Sequence, residues 1–103
     1  MTNITFYKIS CNDNNINDCY IGRTNNFNHR KAQHKYNCNS QNVKHYNYKL
    51  YNIIRKNGGW ENWNIQILEN NEYNNINDIK IKENKYIYDF NASLNTQINN
   101  CFI

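Results

Sequence analysis

The sequence predicts an α+β domain: a small three-stranded antiparallel β-sheet flanked by helices, in the order β-β-α-α-β-α. Three observations predict it. Two runs of β-forming residues near the start, 4–10 and 19–24, are separated by a short stretch rich in Asn and Asp, the arrangement of an antiparallel hairpin. A later run, 60–69, alternates in its second half, with Ile65 and Ile67 to one side and Gln66 and Leu68 to the other. Between and after these runs the apolar residues recur at helical spacing instead.

The elements follow in order. Residues 4–10 are dominated by β-branched and aromatic side chains, and 11–18 form a polar turn. Residues 19–24 make the second strand, which ends just past Gly22. Asn25 or Asn26 is a good helix N-cap, because its side-chain oxygen can accept from the first free amides. The helix it starts, 27–36, sets Phe27, Arg30 and His34 on one face. Residues 38–46 read as a loop and 47–56 as a second helix with Leu50, Ile53 and Ile54 as its stripe. The pair Gly58-Gly59 ends that helix, as glycine does at a C-terminus. Residues 60–69 are the third strand and 70–75 a loop. A third helix spans 76–90, with Ile76, Ile79, Tyr86, Ile87 and Phe90 along one stripe, followed by Ser93-Leu94-Asn95.

With 103 residues and no linker or internal repeat, the chain reads as one domain. Asn supplies roughly a quarter of the residues, an unusual share that an AT-rich genome favours. Ile, Tyr, Phe and Trp still recur throughout, which separates it from a disordered polar tract. The net charge is +4, compatible with a polyanionic partner. The four cysteines, Cys11, Cys19, Cys38 and Cys101, include no C-x-x-C pair, so a zinc site is not expected and each reads as a small hydrophobe. No stretch is long and apolar enough for a membrane span, and no leader is recognisable at the start. An intracellular protein with reduced thiols and no membrane partner is expected.

Three features carry possible chemistry, each with a plain structural alternative. Glu83 interrupts the apolar stripe of the third helix; a carboxylate there is costly unless it is paired or holds a metal, and an ion pair with a nearby Lys or Arg would serve. Arg30 and His34 lie one turn apart and aim at one place. Together they could clamp a phosphate and accept a proton, or form part of a solvated basic face with Lys31 and Lys35. Tyr7 and Tyr20 sit on the two hairpin strands, where cross-strand tyrosine packing is ordinary.

Their order is more telling than any one of them. Phe6-Tyr7-Lys8-Ile9, then Cys19-Tyr20-Ile21-Gly22-Arg23-Thr24, then Phe27-x-x-Arg30-x-x-x-His34 resembles the opening of a GIY-YIG nuclease domain. The resemblance continues through Gly58-Gly59-Trp60-Glu61-Asn62-Trp63 and Lys82-Glu83-Asn84-Lys85-Tyr86-Ile87, and closes with Ser93-Leu94-Asn95. It spans about residues 4–95 and is most similar to stand-alone viral members, those of large DNA viruses. One departure stands out: Thr5-Phe6 precede Tyr7 where the family has Gly-Ile, which puts a side chain where glycine has none.

The resemblance implies the three-stranded fold already read, and a hydrolase that cuts DNA with the help of one divalent metal, Mg²⁺ or Mn²⁺. It makes Tyr7 the general base, Tyr20 a residue that orients water or phosphate, and Arg30 the stabiliser of phosphate charge. His34 would be the partner of Tyr7 and Glu83 the metal ligand, with Gly22 and Asn95 in support. The chemistry is coherent, since preorganised cations contribute most at a charge-rich phosphoryl transition state and a lone carboxylate suits Mg²⁺. A free phenol titrates near 10, too high for a base, so Arg30, His34 and the metal are expected to favour the phenolate. So small a domain has few groups left to read bases, and low sequence specificity or a preference for DNA structure is expected. A catalytically silent nucleic-acid-binding module on the same fold is the alternative.

Overall fold

The computed structural model describes residues 1–95; Cys101 lies outside them. It is an α+β domain. The three strands, β1 (Thr2–Cys11), β2 (Cys19–Thr24) and β3 (Trp63–Tyr73), form one antiparallel sheet in the order β2-β1-β3. Three helices accompany it: α1 (Phe27–Asn39), α2 (Lys49–Lys56) and α3 (Ile76–Asp89). Single 3₁₀ turns occupy Lys44–Asn47, Trp60–Asn62 and Ser93–Asn95. No helix among the described residues is long and apolar enough to cross a membrane.

Local chemistry accounts for the boundaries. Asn26 caps α1 by accepting from the His29 amide at 3.1 Å, and Asn75 caps α3 by accepting from the Asn77 amide at 2.7 Å. Gly58 and Gly59 have φ of +97° and +80°, and the Gly59 amide turns back to the Ile54 carbonyl at 2.9 Å, so the pair closes α2 as expected. The boundaries that differ most from the sequence reading are at α1 and β3. The helix α1 runs on to Asn39, carrying Cys38 into the core at 0% exposure. β3 begins only at Trp63, after the turn at Trp60–Asn62. It continues through 70–73, expected as loop, because those residues pair with Thr2–Thr5 of β1; a neighbouring strand outweighs their polar composition.

Strand alternation splits the molecule into two faces. Tyr7 and Ile9 of β1 pack with Cys38 of α1, with Leu50, Tyr51 and Ile54 of α2, and with Leu94. Ile4 and Phe6 point the other way, to Ile79 and Tyr86 of α3, where Cys19 and Ile21 of β2 meet Ile87 and Ala92. A bulge at Leu68 shifts the register, pairing Phe6 with Glu69 but Tyr7 with Ile67. It leaves Leu68 and Glu69 both on the α3 face. The expected α3 stripe holds only in its middle: Ile76 and Phe90, at its ends, are 54% and 38% exposed.

Thr5 does not disturb the backbone. It is buried in regular strand between Thr24 and Asn70, and its hydroxyl accepts from the Asn70 side chain at 3.0 Å.

Candidate active site

The face covered by α1 and α2 buries a chain of polar groups. Tyr7 stands at the centre of β1, fully buried. Its hydroxyl meets His34 Nε2 at 2.7 Å, and His34 Nδ1 meets the Tyr51 hydroxyl at 2.8 Å. The Asn37 amide donates to the same Tyr51 oxygen at 3.5 Å. Burial and the charge of Arg30 lower His34 to a pKa of about 4, so at neutral pH the imidazole is uncharged, with one donor and one acceptor nitrogen. When Nδ1 carries the proton and donates to Tyr51, Nε2 is free to accept from the Tyr7 hydroxyl.

The phenols do not behave as the sequence suggested. Burial pushes Tyr7 far above its ordinary pKa, and although Arg30 pulls it down through charge and hydrogen bonding, burial wins. Tyr20 is pushed up to about 12, by burial first and then by the charges of Glu83 and Tyr51. Burial raises Tyr51 as well. The protein's own groups therefore keep Tyr7 a neutral phenol, and the expected phenolate is not what they favour.

Beside this chain opens a pocket of about 330 Å³, lined by Tyr20, Arg30, His34, His45, Tyr48 and Tyr51 among others. Arg30 lies one helical turn before His34, so both side chains leave α1 on the same side. No carboxylate pairs with Arg30 among the described residues, and its charge is left for the pocket. Tyr51 and His45 are among the lining residues that the sequence reading missed. Tyr51 lies three residues before Ile54 and so shares the stripe of α2, a signal that was there to be read. His45 sits in the turn at Lys44–Asn47, and its Nδ1 is buried without a hydrogen-bond partner; nothing in its local sequence marks it.

Gly22 acts through packing and Asn95 through hydrogen bonds. Gly22 pairs with Tyr7 across the hairpin, and a Cβ there would overlap the Tyr7 phenol. Only glycine lets the ring lie flat across β2 toward His34. Asn95 is fully buried. Its Oδ1 accepts from the Ile21 amide and its Nδ2 donates to the Ile21 carbonyl, both at 2.8 Å. Asn95 thus stands in for the missing strand partner along the free edge of β2, and fixes its neighbour Leu94 in the core.

Glu83 is held apart from this pocket and does not line it. It projects from α3 toward Arg23 of β2, Oε1 to Nη1 at 3.8 Å, with a side chain only 16% exposed. That distance makes an ion pair but no hydrogen bond, and Arg23 Nη1 is buried without another partner. Burial raises the Glu83 pKa, and Arg23 offsets it only in part. β2 is an edge strand, and Glu83 makes itself felt around it, raising Tyr20 on the other side. Among the described residues no three His, Cys, Asp or Glu side chains gather as a metal cluster. Glu83 is the single carboxylate expected to hold a divalent ion; one carboxylate suits Mg²⁺ only where water and a substrate phosphate complete the shell, and here Arg23 engages it. Tyr7, Tyr20, Arg30 and His34 thus converge, and Glu83 approaches from the far side of β2.

Comparisons with protein-family models, with curated proteins and with solved structures find no match to this chain.

Proposed function

We propose that this chain is a metal-dependent endonuclease of the GIY-YIG type, which hydrolyses DNA phosphodiester bonds with low sequence specificity or a preference for DNA structure. The observation that carries the reading is the buried Tyr7–His34–Tyr51 hydrogen-bonded chain beside Arg30, which no carboxylate neutralises. A pocket that joins an uncharged imidazole to a guanidinium without a carboxylate partner among the described residues is suited to accept a proton next to a bound phosphate.

In this reading Arg30 binds the non-bridging oxygens of the scissile phosphate in a fork. Tyr7 has no exposed surface in the free protein, so bound substrate must open a path for water to its oxygen; attacking water then gives its proton to the Tyr7 oxygen while Tyr7 passes its own to His34 Nε2, and no free phenolate is required. Bound phosphate also cancels the Arg30 charge that helps hold His34 at a low pKa, and substrate thereby raises the proton affinity of its own base. Tyr51 holds the tautomer through Nδ1, and Tyr20 flanks the phosphate. Glu83 would hold a divalent ion, which supplies Lewis-acid stabilisation at the leaving oxygen.

One observation favours the alternative, a nucleic-acid-binding module without catalysis: Glu83 is engaged by Arg23 and burial raises its proton affinity. Incubating supercoiled plasmid with the protein and Mg²⁺, with Glu83→Ala as control, separates the two. Nicking that disappears in Glu83→Ala supports the nuclease, whereas plasmid binding without nicking by the wild type rejects it.

A further inference from the structure

The helix α1 carries two stripes of identical spacing. Arg30, Gln33, His34 and Asn37 line the pocket described above. Asn28, Lys31, Ala32 and Lys35 repeat that spacing two residues earlier and line a second, wider groove of about 570 Å³. A shift of two residues turns a helix by about 200°, so the stripes lie on nearly opposite sides and α1 is the wall between two cavities. The far side of the groove comes from the Gly-Gly-Trp-Glu-Asn-Trp segment, through Trp60, Glu61 and Trp63, a motif for which the catalytic reading has no use.

The composition of this groove is selective. Lys31 and Lys35 are exposed and neither forms an ion pair among the described residues, so two cations face the single carboxylate of Glu61. Ala32, between them, leaves the wall open where a longer side chain would fill it. Trp63 is buried and fixed by its indole N–H to the Asn57 carbonyl at 3.1 Å. Trp60 is half-buried, packing part of its ring on the core, and lines the groove with the remainder, the aromatic surface available to a ligand. Cations on one wall and an indole on the other are the two parts of a site for unpaired nucleotides, which stack on aromatic rings and bring phosphates to lysine.

Resting on the nuclease reading, we propose that this groove binds an unpaired nucleotide of the DNA strand being cut, its base on Trp60 and its phosphates at Lys31 and Lys35. The groove and the catalytic pocket lie on nearly opposite sides of α1, so the strand passes around the helix between them. The preferred substrate then carries a single-stranded segment beside the cleaved bond, because a base paired in duplex cannot stack on a side chain.

The test is binding of a short fluorescein-labelled oligothymidylate, and of a blunt duplex of equal length, measured by anisotropy in EDTA at low salt. Lys31→Gln/Lys35→Gln and Trp60→Leu are each expected to weaken oligothymidylate binding about tenfold and duplex binding less than about twofold, with Trp60→Phe close to wild type. The double lysine variant also lowers the salt slope by about 1.4 for the two lost phosphate contacts. Unchanged affinity, an equal loss on duplex, or a wild-type protein that does not bind oligothymidylate would each overturn the proposal. Should Trp60→Leu fail to fold, the two exposed lysines still decide. EDTA removes cleavage from the measurement, so nicking can fail while the groove binds, and the groove can fail while nicking persists.

Discussion

The two faces of the sheet each bury tyrosine hydroxyls against a titratable group, and they do so to opposite ends. On the α1/α2 face, Tyr7 and Tyr51 bracket an imidazole that stays uncharged and borders an open pocket. On the α3 face, the bulge at Leu68 turns Glu69 inward, where it accepts from Tyr73 and from Tyr86 and takes Lys82 as counter-ion at 3.5 Å. Burial alone would raise Glu69, but those two hydrogen bonds and the lysine together hold its carboxyl below the usual range. The carboxylate is engaged through both oxygens, while the imidazole, bonded at both nitrogens, can still take a proton from the Tyr7 hydroxyl and lies near a cation that no carboxylate pairs among the described residues. A polar cluster closed off within the fold stabilises it; one that borders an open pocket can act on a ligand.

The contrast is sharpest for Arg30→Ala. Removal of one preorganised donor to a charged transition state costs about 10²–10³-fold in rate. Since no carboxylate pairs with Arg30, thermal melting should stay within a few degrees of wild type. A nicking assay beside a melting curve tests both halves, and an equal fall in the two would mark Arg30 as a structural residue.

Acid separates the faces next. His34 has a folded pKa of about 4 against about 6.5 unfolded, so the unfolded chain binds the extra proton between those values and stability falls as pH drops through them, by up to about 3 kcal/mol. Glu69 has a lowered folded pKa, so its contribution is present above its unfolded value of about 4.3 and is lost only below that. Urea unfolding of wild type and His34→Gln from neutral pH down to pH 4 should show the slope only in the wild type. Parallel curves would mean that His34 is not held neutral.

Glu69→Ala is the smallest of these effects in free energy and the most telling in kind. It strips two phenols and an ammonium of their acceptor, for a loss of about 2 kcal/mol and roughly 10 °C in melting temperature. Nicking by the folded fraction should be unchanged, and a loss of nicking beyond the unfolded fraction would erase the division between the faces.

How far the sequence discloses this arrangement depends on the range of the interactions. The hairpin, the cap at Asn26, the α2 stripe and the Gly58-Gly59 stop are local, and each is legible within a few residues. Arg30 and His34 are legible as a pair because helix spacing puts them together. What escapes is long-range. The continuation of β3 to Tyr73 depends on a partner strand far away in sequence, and His45 enters the pocket from a turn without a pattern. The sign of the Tyr7 shift is a matter of burial, which outweighs the Arg30 charge, and a list of neighbours does not reveal which of the two wins. Glu83 is legible as a carboxylate out of place on a stripe, but not as one held by Arg23 across the edge of β2.

The most direct measurement is the plasmid-nicking rate of Tyr7→Phe, which keeps the buried ring and deletes only the hydroxyl that meets His34 Nε2. The account predicts a fall of at least about 100-fold in nicking by the folded fraction, alongside a stability loss of about 1–3 kcal/mol because His34 Nε2 loses its buried donor. A Tyr7→Phe protein that nicks as fast as the wild type would contradict it.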